Sequence, residues 1–451
     1  MAPDFEQFKK NAAAVGALNE KGLVSAAYTV GAGGIAAAVA KMSFGNKIGF
    51  AADTAELKAA SDKIASLLPV ETDDDIRFMF LPLYGSLILE TDKPYADCDN
   101  NGWVLIGHTI NEPQLDIGGV RLDLSLLEDV WEKPLKKVFP PISEKAEKAK
   151  TQASGAETLS EFAVAAHSSI SEKPAQKNIG FSARPKVILP VFPGTNCEYD
   201  MERAFRLAGA DTELFVFRNN TKEQLAESLT AFRKKIAESQ ILALSGGFSV
   251  GDEPDGSGKF IANVLREHEI ADEVMTLLEK RKGLVLGICN GFQALIKVGL
   301  VPFGRICEPD EKAPTLTYNT NRYTSRIVRT RVLSAISPWA RDSSIYDNKI
   351  HYVPIAHGEG RIVIEEELAK KLFANGQIFS QYVDENGIPT MNEPDNPNGS
   401  AYAIEGLTSP DGHVLGKMGH NERTLGSDDL LKNIDGCKSQ NIFAAGVAYF
   451  K

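Results

Sequence analysis

From Val187 to Val298 short continuous apolar runs alternate with amphipathic stretches, and few architectures accept that pattern. Val187–Phe192, Thr212–Phe217, Ile241–Leu244 and Leu284–Ile288 read as strands, mostly continuous runs of apolar residues. Between the first two, Met201, Ala204, Phe205 and Ala208 fall at i, i+3, i+4 and i+7, the spacing of a helix with one apolar face. Helices are likewise expected over Thr221–Glu238 and Gly258–Arg281. Strands that are apolar on both sides, joined by helices, imply a mostly parallel sheet covered on both faces: a doubly wound α/β fold. Such folds carry their sites at the carboxyl ends of the strands.

One of those ends carries a cysteine. Leu284–Ile288 runs into Cys289, with Gly287 and Gly291 two residues to either side, and a helix-like segment, Gln293–Val298, follows. A strand that turns sharply into a helix through one residue is a nucleophile elbow. The glycines give room for a strained central residue, and the helix N-terminus favours thiolate at the sulfur. The competing reading is a buried structural cysteine.

Two further segments fit that chemistry. His351–Ala356 reads as a strand followed by His357-Gly358-Glu359, and on extended backbone positions i and i+2 share a side. His357 is thus the expected general base and Glu359 the carboxylate that orients it, completing a Cys-His-Glu triad with Cys289. Ile241–Leu244 ends in Ser245-Gly246-Gly247-Phe248, where a backbone N–H at Gly247, with that of Asn290, is placed as an oxyanion hole. Cys197 also follows a strand but lacks the glycine frame, and it reads as a buried cysteine at a helix entry.

Composition limits the alternatives. A net charge of −11 argues against a nucleic-acid-binding face. The five cysteines (98, 197, 289, 307 and 437) have no CxxC spacing, which favours free thiols in a reducing cytoplasm. Neither a signal peptide nor a membrane span is apparent. The histidines at 108, 167, 268, 351, 413 and 420 show no ligand spacing on a common face, so no metal is expected.

The 451 residues divide unevenly. Residues 141–184 are rich in Ala, Ser, Glu and Lys and read as a linker, with a short helix around Leu159–Ala166. They separate residues 1–140, expected as a smaller α+β domain, from the α/β domain at 185–451. In the first part a glycine-rich turn, Gly31–Gly34, opens a helix, and Phe78–Glu90 and Trp103–Ile110 read as strands. Phosphate binding and close helix packing are both open for that turn.

Together, Gly287–Gln293 and His357-Gly358-Glu359 resemble the class I (triad) glutamine amidotransferases. Pro193–Glu198, Gly246–Asp252 and Ala356–Arg361 narrow the resemblance to the glutaminase domain of the phosphoribosylformylglycinamidine synthase family, from about Lys186 to the C-terminus. The resemblance implies glutamine hydrolysis at Cys289 and delivery of ammonia to an ATP-dependent synthetase acting on formylglycinamide ribonucleotide. It also implies that Gln293, Asn319 and Arg326 contact the substrate, although the segment around Asn319 and Arg326 departs from the family spacing by one residue. Residues 1–140 resemble a C-terminal domain of the aminoimidazole ribonucleotide synthetase superfamily, without the His-Asp often found before the glycines. No cofactor is expected in this chain. ATP and Mg are expected in the synthetase domains, which the resemblance places before residue 1 or on a separate subunit. The rival readings are a stand-alone cysteine hydrolase of the same fold and a non-catalytic docking subunit.

Overall fold

A computed structural model of the chain describes residues 4–67, 76–92, 103–137, 182–249, 257–320, 323–340, 350–426, 429–432, 434 and 436–451. Contacts divide it into two units, Met1–Pro141 and Ile142–Lys451. The helix expected around Leu159–Ala166 lies outside the described residues.

In the first unit β2 (Gly49–Ala52) lies between β4 (His108–Ile110) and β5 (Gln114–Ile117), with β6 (Val120–Asp123) beyond β5. A separate pair joins β1 (Ala26–Thr29) to β3 (Leu87–Glu90). The strand expected over Phe78–Glu90 is shorter. Arg77–Phe80 is a 3-10 turn, and only Leu87–Glu90 is extended as a strand. Pro82 and Gly85 interrupt the apolar run. Trp103–Ile110 likewise gives a strand only at His108–Ile110. The glycine-rich turn does open a helix, Gly34–Asn46. A Cβ on Gly34 would lie 2.4 Å from the Met79 carbonyl oxygen, so this glycine is needed for close packing.

The second unit is built on a nine-stranded sheet. Its parallel half contains β8 (Asp211–Val216), β7 (Lys186–Val191), β9 (Ile241–Leu244), β10 (Leu284–Ile288) and β17 (Val414–Lys417), in that order. Beyond β17 the sheet continues antiparallel through β16 (Ile404–Thr408), β15 (Ile378–Tyr382), β12 (Thr324–Val332) and β13 (His351–His357). β9, β10 and β17 are buried along their whole length. That is why their sequences are apolar without alternation. Helices Glu198–Leu207 and Lys222–Ala237 form as expected, and Met201, Ala204 and Phe205 turn into the core. Gly258–Arg281 is two helices, Lys259–Arg266 and His268–Glu279. The chain breaks at Glu267, whose ψ of 131° is extended and whose carboxylate caps the second helix at the Ile270 N–H.

Sheet order decides the location of the site. β17 is the last strand of the sheet in the chain, after the antiparallel excursion, yet it inserts beside β10. The carboxyl ends of β7, β9, β10 and β17 are therefore neighbours, and each leads into a loop carrying polar residues.

Candidate active site

Cys289 ends β10 with φ 51° and ψ −104°, a backbone conformation that non-glycine residues seldom adopt, and it caps the helix Asn290–Lys297. The flanking glycines let that helix press onto the sheet. A Cβ on Gly291 would lie 2.1 Å from the Leu244 carbonyl oxygen, and one on Gly287 would meet Gly291 itself at 2.7 Å. The elbow read from the sequence is present, and the side chain of Cys289 is almost fully buried.

The histidine that reaches the sulfur is His420. It follows β17 in the segment Met418–Glu422, and its ring stands beside both cysteines: a Cβ on Gly246 would touch His420 Cε1, Cys197 Sγ and Cys289 Cβ alike. Its Nδ1 lies 2.6 Å from Oε1 of Glu422. Burial disfavours a charged ring here. The negative charge of Glu422 and its hydrogen bond, with the neighbouring Cys197 and Cys289 sulfurs adding to them, outweigh burial and hold His420 well above its ordinary pKa. Cys289, His420 and Glu422 thus stand in the order that a nucleophile, a base and an orienting carboxylate would take.

The expected pairing of His357 with Glu359 is not formed. His357 Nδ1 faces Asn319 Nδ2 at 3.3 Å, and its Nε2 has no hydrogen-bond partner among the described residues. Glu359 accepts from the Ser257 N–H at 3.0 Å. The i, i+2 argument fails because the chain leaves one sheet and joins another at Gly358. His357 is the last residue of β13, and Glu359 is the first of β14 (Glu359–Val363), which pairs with β11 (Thr315–Tyr318) in a separate two-stranded sheet. Burial, with the nearby His420 charge adding to it, lowers the pKa of His357 to about 3, so this ring is neutral.

Three other expected site residues are occupied within the protein. Gln293 donates to the Glu359 carbonyl oxygen at 2.6 Å and accepts from Asn290 at 3.0 Å, so it ties the elbow helix to the 357–360 turn. Asn319 holds the same turn through the His357 carbonyl oxygen (2.8 Å) and the Gly360 N–H (2.9 Å). Arg326 is exposed on β12 and donates to the Pro394 carbonyl oxygen at 3.0 Å.

The Gly246–Gly247 loop faces the cysteine. A Cβ on Gly246 would stand 2.7 Å from His420 Cε1, 3.1 Å from Cys197 Sγ and 3.4 Å from Cys289 Cβ, so a larger residue has no room. Gly247 has φ 137° and is bridged to Thr195, and the Phe248 N–H donates to the Gly194 carbonyl oxygen at 2.8 Å. Cys197 sits at the entry of its helix, as expected, but it is also part of this cluster. Arg423 Nη2 donates to its sulfur at 3.1 Å, and Arg423 Nε lies 3.6 Å from Asp200. Cys197, His420 and Glu422 each offer a donor atom within 4.8 Å of the others.

A buried ion pair positions the histidine loop. Lys417 Nζ and Glu405 Oε1 are 3.2 Å apart, with both side chains fully buried. Glu405 also accepts from the Gly419 N–H at 2.7 Å and from the Ser380 hydroxyl, and Lys417 donates to Asn421 at 2.5 Å. Glu405→Leu strands a buried ammonium and releases Gly419. It should destabilise the unit by about 3–5 kcal/mol, measured by denaturant unfolding. A change below about 1 kcal/mol would show that water reaches the pair.

Sequence reasoning missed His420 and Glu422. The available signal was a second His-x-Glu, His420-Asn421-Glu422, also following a buried strand.

An elbow cysteine, a His-Glu pair in the segment after the neighbouring strand and a glycine loop thus meet at the carboxyl edge of an α/β sheet. A family model described as the CobB/CobQ-like glutamine amidotransferase domain matches residues 184–450, and the chain belongs to this family. Among its relatives is the phosphoribosylformylglycinamidine synthase subunit PurQ of Methanococcus maripaludis strain C7. It is 37% identical over 243 residues, which cover 53% of this chain and 83% of the relative. The subunit of the same name from Aquifex aeolicus is 33% identical over 253 residues, covering 56% and 95%. A chain in the structure of PurLQS from Thermotoga maritima overlaps 59% of this chain and 100% of its own length, with 24% identity and a TM-score of 0.41. No helix among the described residues is long and apolar enough to cross a membrane.

Proposed function

We propose that the second unit releases ammonia from the side-chain amide of glutamine through Cys289, His420 and Glu422, and that it does so for a phosphoribosylformylglycinamidine synthase. The observation that carries this reading is the His420 ring, which is bonded to Glu422 through Nδ1 and packed with the elbow cysteine around Gly246. His420, whose raised proton affinity favours it, takes up the Cys289 proton before the sulfur attacks the amide carbon, and Glu422 steadies the imidazolium. The developing oxyanion is received by backbone N–H groups of Gly247, on the glycine loop, and Asn290, at the start of the elbow helix. His420 then protonates the leaving nitrogen. Ammonia departs from a γ-glutamyl thioester, and a water deprotonated by the same ring cleaves that thioester to glutamate.

The relatives named PurQ support a synthetase as the recipient of the ammonia. ATP and Mg belong to that partner, and both proteins act as soluble components of the cytoplasm. The N-terminal unit is assigned a scaffolding role of the aminoimidazole ribonucleotide synthetase type. The tight contact of Gly34 with Met79 supports packing in place of phosphate binding there.

The test supplies amide-¹⁵N glutamine with the synthetase, ATP, Mg and formylglycinamide ribonucleotide. The label should appear in the amidine product, and Cys289→Ala should stop its appearance while free ammonium still supports synthesis. Glutamate release without label transfer to the amidine would contradict the assignment to this synthase.

A further inference from the structure

Cys197 takes no step in the hydrolysis, yet it is built into the site. Its sulfur, a ring nitrogen of His420 and a carboxylate oxygen of Glu422 all lie within 4.8 Å of one another, and all three side chains are buried. Glu422 uses Oε1 on the imidazole. Its other oxygen, Oε2, has no hydrogen-bond partner among the described residues, although the side chain is fully buried. A buried carboxylate oxygen without a partner costs free energy and leaves a strong donor in place. One sulfur, one imidazole nitrogen and one carboxylate oxygen form the donor set that soft and borderline divalent cations prefer.

We propose that Cys197, His420 and Glu422 form a site for a thiophilic divalent cation of the zinc class, whose binding switches the hydrolytic centre off. The ion takes one imidazole nitrogen from His420 and displaces the proton there. Whichever nitrogen it takes, the ring no longer serves as base toward Cys289. Arg423, which now faces the Cys197 sulfur, has Asp200 within 3.6 Å as an alternative partner once the ion arrives. A fourth coordination position is left for water, as three protein ligands usually allow. The inhibitory consequence rests on the reading of His420 as the base; the binding does not.

Two measurements on the full chain separate those claims. Cobalt(II) is the probe for binding, because a thiolate ligand gives it a sulfur-to-metal charge-transfer absorption. One equivalent should produce that band in the native chain and in Cys289→Ala, and Cys197→Ser should lose it while keeping its unfolding transition. Glu422→Gln should weaken binding at least roughly tenfold. A band that survives Cys197→Ser, or one that disappears only in Cys289→Ala, overturns the site. The second measurement is zinc inhibition of glutamate release with the synthetase present. Its midpoint should rise at least roughly tenfold in Cys197→Ser. An unchanged midpoint beside a lost cobalt band overturns the switch and leaves the binding site standing. If His420 is not the base, the cobalt result still stands alone.

Discussion

Cys289→Ala should abolish glutamate release, a loss on the order of 10⁶-fold by comparison with other enzymes stripped of their nucleophile. Cys197→Ala should retain activity within about tenfold, since it removes a hydrogen bond and not the attacking atom. Both cysteines are buried and both lie beside His420, so proximity to that ring does not separate them. Backbone geometry does. Cys289 stands at φ 51° on the elbow, with the Asn290 N–H adjoining it for the oxyanion, whereas Cys197 has an ordinary negative φ of −109° at a helix entry. Quantifying glutamate by a coupled assay settles the comparison, and equal losses in the two variants would mean that the thiols act as a pair.

The second large effect belongs to His420. His420→Ala should cost about 10²–10⁴-fold in turnover, the range expected for a positioned general base. Glu422→Gln should fall in the same range, because a carboxamide in place of the carboxylate no longer holds the ring in the right tautomer. His357→Asn should fall well short of that range. His357 is neutral, bonded to Asn319, and has no hydrogen bond to Cys289. Steady-state rates for the three variants, with unfolding transitions to confirm the fold, provide the check. A collapse in His357→Asn beside a modest loss in His420→Ala would restore the triad suggested by the sequence.

The contrast between the two histidines shows which parts of the site were legible in the sequence. Cys289 could be read because an elbow is local: strand, two glycines and helix all lie within a dozen residues. The alternation that places β7, β9 and β10 is also local, since burial on both faces leaves each strand uniformly apolar. The position of His420 depends on sheet order. β17 lies more than a hundred residues beyond β10 and reaches it only after four antiparallel strands, so no window of sequence pairs the two. His357-Gly358-Glu359 drew attention through its spacing, but that inference assumed extended backbone through Gly358, where the chain passes from β13 to β14. Gln293, Asn319 and His357 do gather near the site. Asn319 is bonded to His357, and Gln293 to Asn290 and the Glu359 carbonyl, contacts that no motif in the sequence announces. The break at Glu267 was hidden because both helices carry apolar faces of the same period.

The most direct test of the catalytic assignment is the rate at which a glutamine-analogue electrophile labels Cys289, followed by peptide mapping. That rate reports the first chemical step alone, before ammonia transfer. In the native chain the label should fall on Cys289. His420→Ala should slow labelling by about 10²-fold or more, and His357→Asn should label at close to the native rate. Labelling mainly on Cys197, or a rate governed by His357 and indifferent to His420, would contradict the assignment of Cys289, His420 and Glu422.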